Sequence, residues 1–119
     1  MQIGCNITGN TIDAMIASAK QLEEQGFAYT GMASIRGHDA ITSMALIGRE
    51  TSTIELHTAV VPTYPRHPVS MAQQALSAQA ASGGRFTLGI GLSHKVVIED
   101  SYGLSYKRTA SHIREYLSV

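Results

Sequence analysis

Four short β-prone segments alternate with four helix-prone segments, and this order constrains the fold more than any other feature of the sequence. The β-prone segments are residues 2–7, 27–33, 54–61 and 85–91. Such alternation is typical of parallel strands that are joined by right-handed helical crossovers. The sequence therefore predicts an α/β fold with a single domain over residues 1–119, built from four βα units. Periodicity alone does not choose between a barrel and an open doubly wound sheet.

Local signals mark the ends of the predicted helices. Residues 8–10 form a turn cluster that can cap the first helix, and Gly26 is positioned to end it. Asp39 is the expected N-cap of the second helix, and Pro68 occupies a first helical position with His67 as its cap. The third helix shows apolar residues at helical spacing, namely Val69, Ala72, Leu76 and Ala80.

Charge and apolar patterning exclude several classes of function. Nine basic and nine acidic residues cancel, so the chain lacks the basic excess that nucleic acids or anionic membranes attract. No apolar run approaches the roughly 20 residues of a transmembrane helix. The single Cys5 has no partner for a disulfide, which favours a reducing compartment, and we expect it to be a small buried side chain. These features predict a cytoplasmic protein that binds neither nucleic acid nor membranes.

Polar residues collect where the predicted strands end. In parallel α/β folds, the chemistry lies at the carboxyl ends of the strands. The polar residues at these ends are Asn6, Ser34, His38, Thr58, Arg66, His67, Ser93 and His94. His94 follows the glycine pair Gly89 and Gly91, and an imidazole there could exchange a proton near neutral pH. A turn with a surface histidine explains the same pattern, and both interpretations stay open.

Other candidate residues have simple structural explanations. Capping of the third helix accounts for His67, and we expect Arg66 to lie in solvent. Glu55 and His57 share one face of the third strand, where such a pair is more often structural than catalytic. The sequence contains no spacing that is typical of metal ligands, such as HxxxH or clustered carboxylates.

A long stretch, residues 56–94, resembles a known family. Its sequence is LHTAVVPTYPRHPVSMAQQALSAQAASGGRFTLGIGLSH, with a strand, an RHP helix start, an alanine-rich helix, SGGRF and a GxG strand in this order. This order is similar to the signature of the luciferase-like monooxygenase superfamily. The similarity runs through essentially the whole chain. TYPRHP and GLSH most resemble the branch that uses the deazaflavin coenzyme F-420.

The resemblance implies a fold, a cofactor and a site. The fold would be a TIM (β/α)8 barrel, with this chain as its amino-terminal half. The ring of FMN or of coenzyme F-420 would lie over the carboxyl ends of the strands. A non-proline cis peptide between Ala59 and Val60 would back the ring, and His94 would occupy the acid/base position. Around the ring we expect Asn6, Ser34, Thr58 and Ser93.

The chain departs from the family pattern at several positions. His57 stands where the family commonly has Gly, and Leu92 stands where it has Pro. Ser34 and Ile35 replace an Asp-His pair that is frequent at the end of the second strand. The expected function is an oxidoreductase that transfers hydride between the reduced cofactor and a small organic substrate. The alternative is a truncated or engineered half-barrel scaffold that self-associates and has no catalytic activity.

An assembly prediction follows from the strand count. Four parallel strands cannot close a barrel, so the first and fourth strands would both present unpaired edges. Inward-facing residues such as Ile3, Met32 and Ile90 would lack a cover. Pairing of two copies around a twofold axis would cover both features. We therefore expect a homodimer or a larger homo-oligomer.

Overall fold

The computed structural model describes residues 1–34 and 36–119. Ile35, which replaces the frequent family histidine, lies outside the described residues. The elements in chain order are β1 (Gly4–Asn6), α1 (Ile12–Glu24), β2 (Tyr29–Met32), α2 (Ala40–Glu50), β3 (Glu55–Thr58), β4 (Val61–Pro62), α3 (Pro68–Ala81), β5 (Phe86–Thr87), β6 (Ile90–Gly91), a π-helical turn (Val97–Ser101) and α4 (Thr109–Ser118).

The strands form two parallel sheets. A four-stranded sheet has the order β1-β2-β3-β5, and β4 pairs with β6 in a second sheet. The predicted α/β fold with parallel strands is confirmed. The predicted third and fourth strands are each divided in two, because the chain leaves the first ladder at residues 59–60 and 88–89. The Ala59–Val60 peptide bond is cis, as the resemblance implied.

The hydrophobic core lies between the four-stranded sheet and the helices. Thr30 and Leu56 of the sheet are fully buried on this side. They are adjacent in the parallel register, next to Phe86. The helices contribute their largest buried side chains to the same core, namely Ile41, Met44, Ile47 and Met71.

The opposite face of the sheet is polar and open. Tyr29 and His57 stack there with ring centroids 4.9 Å apart, and the Nε2 atom of His57 lies 3.4 Å from a carboxylate oxygen of Glu55. Gly4 leaves space for the stacked rings of Tyr29 and His57, since a Cβ atom at Gly4 would lie 2.1 Å from the Tyr29 ring. His57 therefore contacts Glu55 and stacks on Tyr29, and these contacts support a structural role for the Glu55–His57 pair.

The prediction that Met32 and Ile90 lack a cover is wrong. Both side chains are partly buried and pack against the hydrophobic core, because β2 and β6 turn these positions towards it. Ile3, in contrast, is exposed as expected.

The helix caps agree closely with the sequence. Asp39 caps α2 by accepting a hydrogen bond from the Thr42 N–H, and His67 caps α3 with Pro68 in the first turn. The first helix differs slightly, because Thr11 rather than residues 8–10 accepts the capping bond from the Ala14 N–H.

The predicted burial of Cys5 is wrong, because its side chain is exposed. Cys5 lies on an edge strand, β1, which has a neighbour on one side only. On α3 the apolar series Val69, Ala72, Leu76 and Ala80 is exposed, and Leu76 exposes 70% of its surface, because α3 turns Met71 and Ala78 towards the core.

Two charged residues hydrogen-bond to the backbone from the last turn of α2 to the start of β3, at the amino-terminal end of the sheet. The Arg85 guanidinium donates hydrogen bonds to the carbonyl oxygens of Gly48, Thr51 and Ile54. The Glu23 carboxylate accepts from the backbone N–H groups of Ser52, Thr53 and Ile54. Burial opposes ionisation of Glu23, but these hydrogen bonds outweigh it and lower its pKa to about 2.

Candidate functional site

A small cavity opens where β3, β4 and β6 end. It has a volume of about 110 Å³ and is lined by Ala33, Ser34, Ala59, Val60, Pro62, Ser93 and His94. Five of the predicted site residues therefore meet in one place, although they are far apart in the sequence. The prediction that His94 and Ser93 lie at the carboxyl end of the sheet is confirmed.

The floor of the cavity is apolar. Ala59 and Val60 are both exposed, and Val60 presents 41% of its surface. Their backbone is held in place from neighbouring strands, since the Ala59 N–H donates to the Met32 carbonyl over 2.9 Å and the Ser34 N–H donates to the Val60 carbonyl over 3.2 Å. The floor thus offers a fixed apolar surface to a ligand.

Two glycines bring the fourth predicted strand against this floor. A Cβ atom at Gly89 would lie 2.0 Å from the Thr58 carbonyl oxygen, and one at Gly91 would lie 2.7 Å from Val60 Cγ2. Both distances are too short for any side chain. The glycines are therefore required by the close packing of the strands beneath the cavity.

Thr58 lies below the floor and does not line the cavity. Its side chain is buried, and its hydroxyl donates to the Gly89 carbonyl over 2.9 Å while accepting from the Gly89 N–H over 2.8 Å. Asn6 is exposed at the same edge of the sheet, in register with Gly31, but it does not line the cavity either. The cofactor contacts predicted for these two residues stay predictions.

His94 stands at the rim of the cavity on a constrained turn. Ser93 adopts a left-handed backbone conformation with a φ of 62°, which is uncommon for a residue other than glycine. The Tyr106 hydroxyl donates to the Ser93 carbonyl over 2.9 Å. The carbonyl of His94 accepts from the N–H groups of Val97 and Ile98 and so begins the π-helical turn. The His94 side chain remains exposed to solvent.

Arg66 does not lie free in solvent, so that expectation is wrong. Its guanidinium forms an ion pair with Asp39, the N-cap of α2, and both side chains are largely buried. Burial opposes ionisation of Asp39, but hydrogen bonds from Thr42 and the charge of Arg66 hold its pKa below the usual value. The pair joins the start of α2 to the loop before α3.

An aromatic cluster that was not predicted from the sequence lies beside the site. The rings of Tyr64 and His112 stack at 3.9 Å, and the ring of Tyr106 lies 5.2 Å from that of Tyr64. The buried hydroxyl of Thr63 lies 2.9 Å from Nε2 of His112. The cluster fixes α4 and the segment before it against the loop before α3. An unusual density of Tyr and His after residue 100 is the only hint that the sequence offers.

The described part of the chain offers no metal site and no membrane span. Among these residues, no group of three or more His, Cys, Asp or Glu side chains is placed to hold a metal ion. None of the described helices has the length and apolar character needed to cross a bilayer. The cavity combines an apolar floor, backbone polar groups and one exposed imidazole, and these groups can contact an organic ring.

Comparisons with known proteins give a consistent result. Residues 2–119 match the family model described as luciferase-like monooxygenase. A coenzyme F-420-dependent oxidoreductase of Mycobacterium tuberculosis is 35% identical over 97 residues, which are 82% of this chain and 28% of that protein. A 5,10-methylenetetrahydromethanopterin reductase of Archaeoglobus fulgidus is 30% identical over 84% of this chain and 30% of its own length.

Solved structures share the fold. The oxygenating component of 3,6-diketocamphane monooxygenase from Pseudomonas putida, solved with FMN, superposes with a TM-score of 0.86 at 18% identity over all of this chain and 38% of that one. The coenzyme F-420-dependent tetrahydromethanopterin reductase of Methanopyrus kandleri gives a TM-score of 0.80 at 23% identity, over 99% of this chain and 38% of that one. These neighbours are TIM barrels, and the match is consistent with half of such a barrel. The chain spans about a third of the length of the curated relatives that it matches.

Proposed function

The chain belongs to the luciferase-like monooxygenase family, and on this basis we propose that it forms part of a flavin- or deazaflavin-dependent oxidoreductase that acts on a small organic molecule. The observation that supports this function most strongly is the cavity at the carboxyl end of the sheet, where Ser34, Val60 and His94 meet. Parallel α/β enzymes place their chemistry at this end.

The residues of the cavity fit one face of a planar ring. Ala59, Val60 and Pro62 supply apolar surface, and Ser34 and Ser93 supply polar groups at its edge. The cavity of about 110 Å³ is smaller than the roughly 300–1,000 Å³ of common ligand pockets, so these residues account for contact with the ring alone. FMN or the deazaflavin coenzyme F-420 would supply the hydride chemistry when bound.

The protein contributes orientation and a proton. The fixed floor at Ala59 and Val60 would exclude water from one side of a bound ring. His94 projects from the rim, where its exposed imidazole is the candidate proton donor of the site. Tyr106 holds the backbone of the preceding residue, Ser93, and so limits where His94 can lie.

We also propose a cytoplasmic location and a homodimeric assembly. A single cysteine, Cys5, in a chain of balanced charge agrees with a cytoplasmic enzyme. We propose self-association as a homodimer, which the exposed apolar surface on α3 supports. This surface is centred on Leu76 and continues to the partly buried Leu88. The similarity to a coenzyme F-420-dependent oxidoreductase and to a reductase does not favour the alternative of a scaffold without catalysis.

Equilibrium titration tests the proposed function. The purified chain is titrated with FMN and with coenzyme F-420 while the fluorescence of the cofactor is followed. We expect saturable binding of one cofactor and a loss of at least about tenfold in affinity in Val60→Asp, because a carboxylate would replace the apolar floor. Val69→Asp is the matched control, since Val69 is similarly exposed but lies on α3. Absence of binding for both cofactors, or equal affinity in both variants, would contradict the proposal.

A further inference from the structure

Two larger cavities adjoin the proposed ring site. Their volumes are about 210 and 330 Å³. Ser34 lines both of them and also the ring cavity, and Pro62 is shared between the ring cavity and the smaller of the two. Together they form a groove next to the ring floor. We call it the arginine groove, after the residues that dominate its walls: Arg36, His38, Asp39, Arg66 and Tyr102.

The charge of the arginine groove is positive. Its lining contains two guanidinium groups, one imidazole and one carboxylate. The carboxylate of Asp39 is already engaged, because Oδ2 accepts from the N–H and the hydroxyl of Thr42 and Oδ1 accepts from Arg66. Asp39 therefore balances one guanidinium, and the charge of Arg36 remains in excess.

Arg66 is held ready to contact a ligand. A guanidinium carries five N–H donors in a rigid plane, and the bond to Asp39 uses only part of this set. The ion pair fixes the side chain, so little conformational freedom remains to be lost when an anion binds. Arg36 lines the same groove and is exposed. His38 has its Nε2 atom 3.4 Å from the Asn10 carbonyl oxygen, which keeps the ring near the groove.

We propose that the arginine groove binds the anionic group, a carboxylate or a phosphate, of an acidic substrate whose reacting part lies over the ring floor. Planar guanidinium groups bind both kinds of oxyanion through paired hydrogen bonds. Tyr102 supplies an exposed aromatic wall for the carbon skeleton of the same molecule. The assignment to a substrate rests on the proposed function, whereas anion binding itself can be measured without any cofactor.

Titration with simple anions tests this inference. The chain without cofactor is titrated with inorganic phosphate and with acetate by calorimetry. We expect saturable binding of one or both, weakened about tenfold in Arg36→Gln and in Arg66→Gln, since each change removes a charged donor. Arg49→Gln is the control, because Arg49 lies in the last turn of α2, at the opposite end of that helix from Asp39. Equal affinity in all variants, or no saturable binding to the unaltered chain, overturns the inference.

One further variant and one competition experiment distinguish loss of charge from unfolding, and a substrate site from a cofactor site. Arg66→Lys retains the charge and the partner of Asp39, so recovery of binding in this variant shows that Arg66→Gln fails through the lost charge rather than through unfolding. The phosphate titration is then repeated with FMN and with riboflavin, which lacks the phosphate. If the affinity for phosphate is unchanged in the presence of FMN and of riboflavin, the groove is a substrate subsite. Displacement of phosphate by FMN overturns that assignment. If the unaltered chain binds the cofactor but no anion, the inference about the arginine groove is wrong and the proposed function is unaffected.

Discussion

The Tyr106 hydroxyl donates a hydrogen bond of 2.9 Å to the carbonyl oxygen of Ser93, the residue immediately before the proposed proton donor. Ser93 has a φ of 62°, a backbone conformation that few residues other than glycine adopt. The segment that follows β6 therefore returns to support the turn from which His94 projects. The bond connects the aromatic cluster to the rim of the proposed ring site.

Removal of this hydroxyl tests the connection. In Tyr106→Phe we expect the free energy of unfolding to fall by about 0.5–1.5 kcal/mol, the usual contribution of one hydrogen bond. The ring protons of His94 should also change their NMR shifts. Tyr29→Phe is the matched control, because Tyr29 lies on the open face of the sheet at its other end. Unchanged His94 shifts in Tyr106→Phe would show that the bond does not position His94.

Gly89 provides a test of strand packing beneath the floor. A Cβ atom there would lie 2.0 Å from the Thr58 carbonyl oxygen, so Gly89→Ala should destabilise the chain by about 1–3 kcal/mol or more. Gly103→Ala adds a Cβ atom without a clash, so its loss measures backbone strain alone, because Gly103 has a φ of 66° but open space around it. Chemical denaturation measures both. A loss below about 1 kcal/mol in Gly89→Ala would show that the close approach does not constrain the strands beneath the floor.

Glu23 should make stability depend on pH. Its pKa is about 2 in the folded chain, below the ordinary 4.5, so the folded state binds a proton less readily than the unfolded state. Its contribution is complete above about pH 4.5 and is lost as the pH falls towards 2.

The variant Glu23→Gln measures this contribution. We expect it to cost about 1–2 kcal/mol at pH 7 and progressively less in acid, where the parent carboxyl also becomes neutral. Glu24→Gln is the control, because Glu24 is exposed on the same helix. A difference between Glu23→Gln and the parent chain that stays constant from pH 7 to pH 2 would exclude ionisation as its source.

Self-association can be measured by light scattering. We expect a mass of about twice the 12.7 kDa of one chain. Leu76→Glu should shift the population towards the monomer, because it places a charge on the exposed apolar surface of α3. Gln74→Glu adds the same charge on the same helix, but Gln74 does not line that surface. A monomer at all concentrations would refute the homodimer.

Features that depend on neighbouring residues were predictable from the sequence. Asp39 caps α2 and Pro68 begins α3, because capping bonds are made within about three residues of the cap. The alternation of strands and helices likewise fixes parallel topology through the crossovers that it requires. The cis bond at Ala59–Val60 was predicted from the family resemblance, not from local physics.

Features that depend on distant contacts were not predictable. Arg66 and Asp39 are 27 residues apart, and His112 and Thr63 are 49 apart. No local pattern distinguishes Arg66 as a partner of a helix cap from an arginine in solvent. The alanine-rich helix α3 has small apolar residues on several sides, so spacing could not show that Ala78 faces the core and Leu76 does not.

Chemical-shift mapping of the chain with added cofactor tests whether the cavity at the carboxyl end of the sheet binds the ring. The amide resonances of the isotopically labelled chain are recorded while FMN or coenzyme F-420 is added. We expect the largest changes at the residues around the cavity floor and rim, namely Ala33, Ser34, Ala59, Val60, Ser93 and His94. Changes confined to the apolar surface around Leu76, or no change with either cofactor, would contradict this expectation.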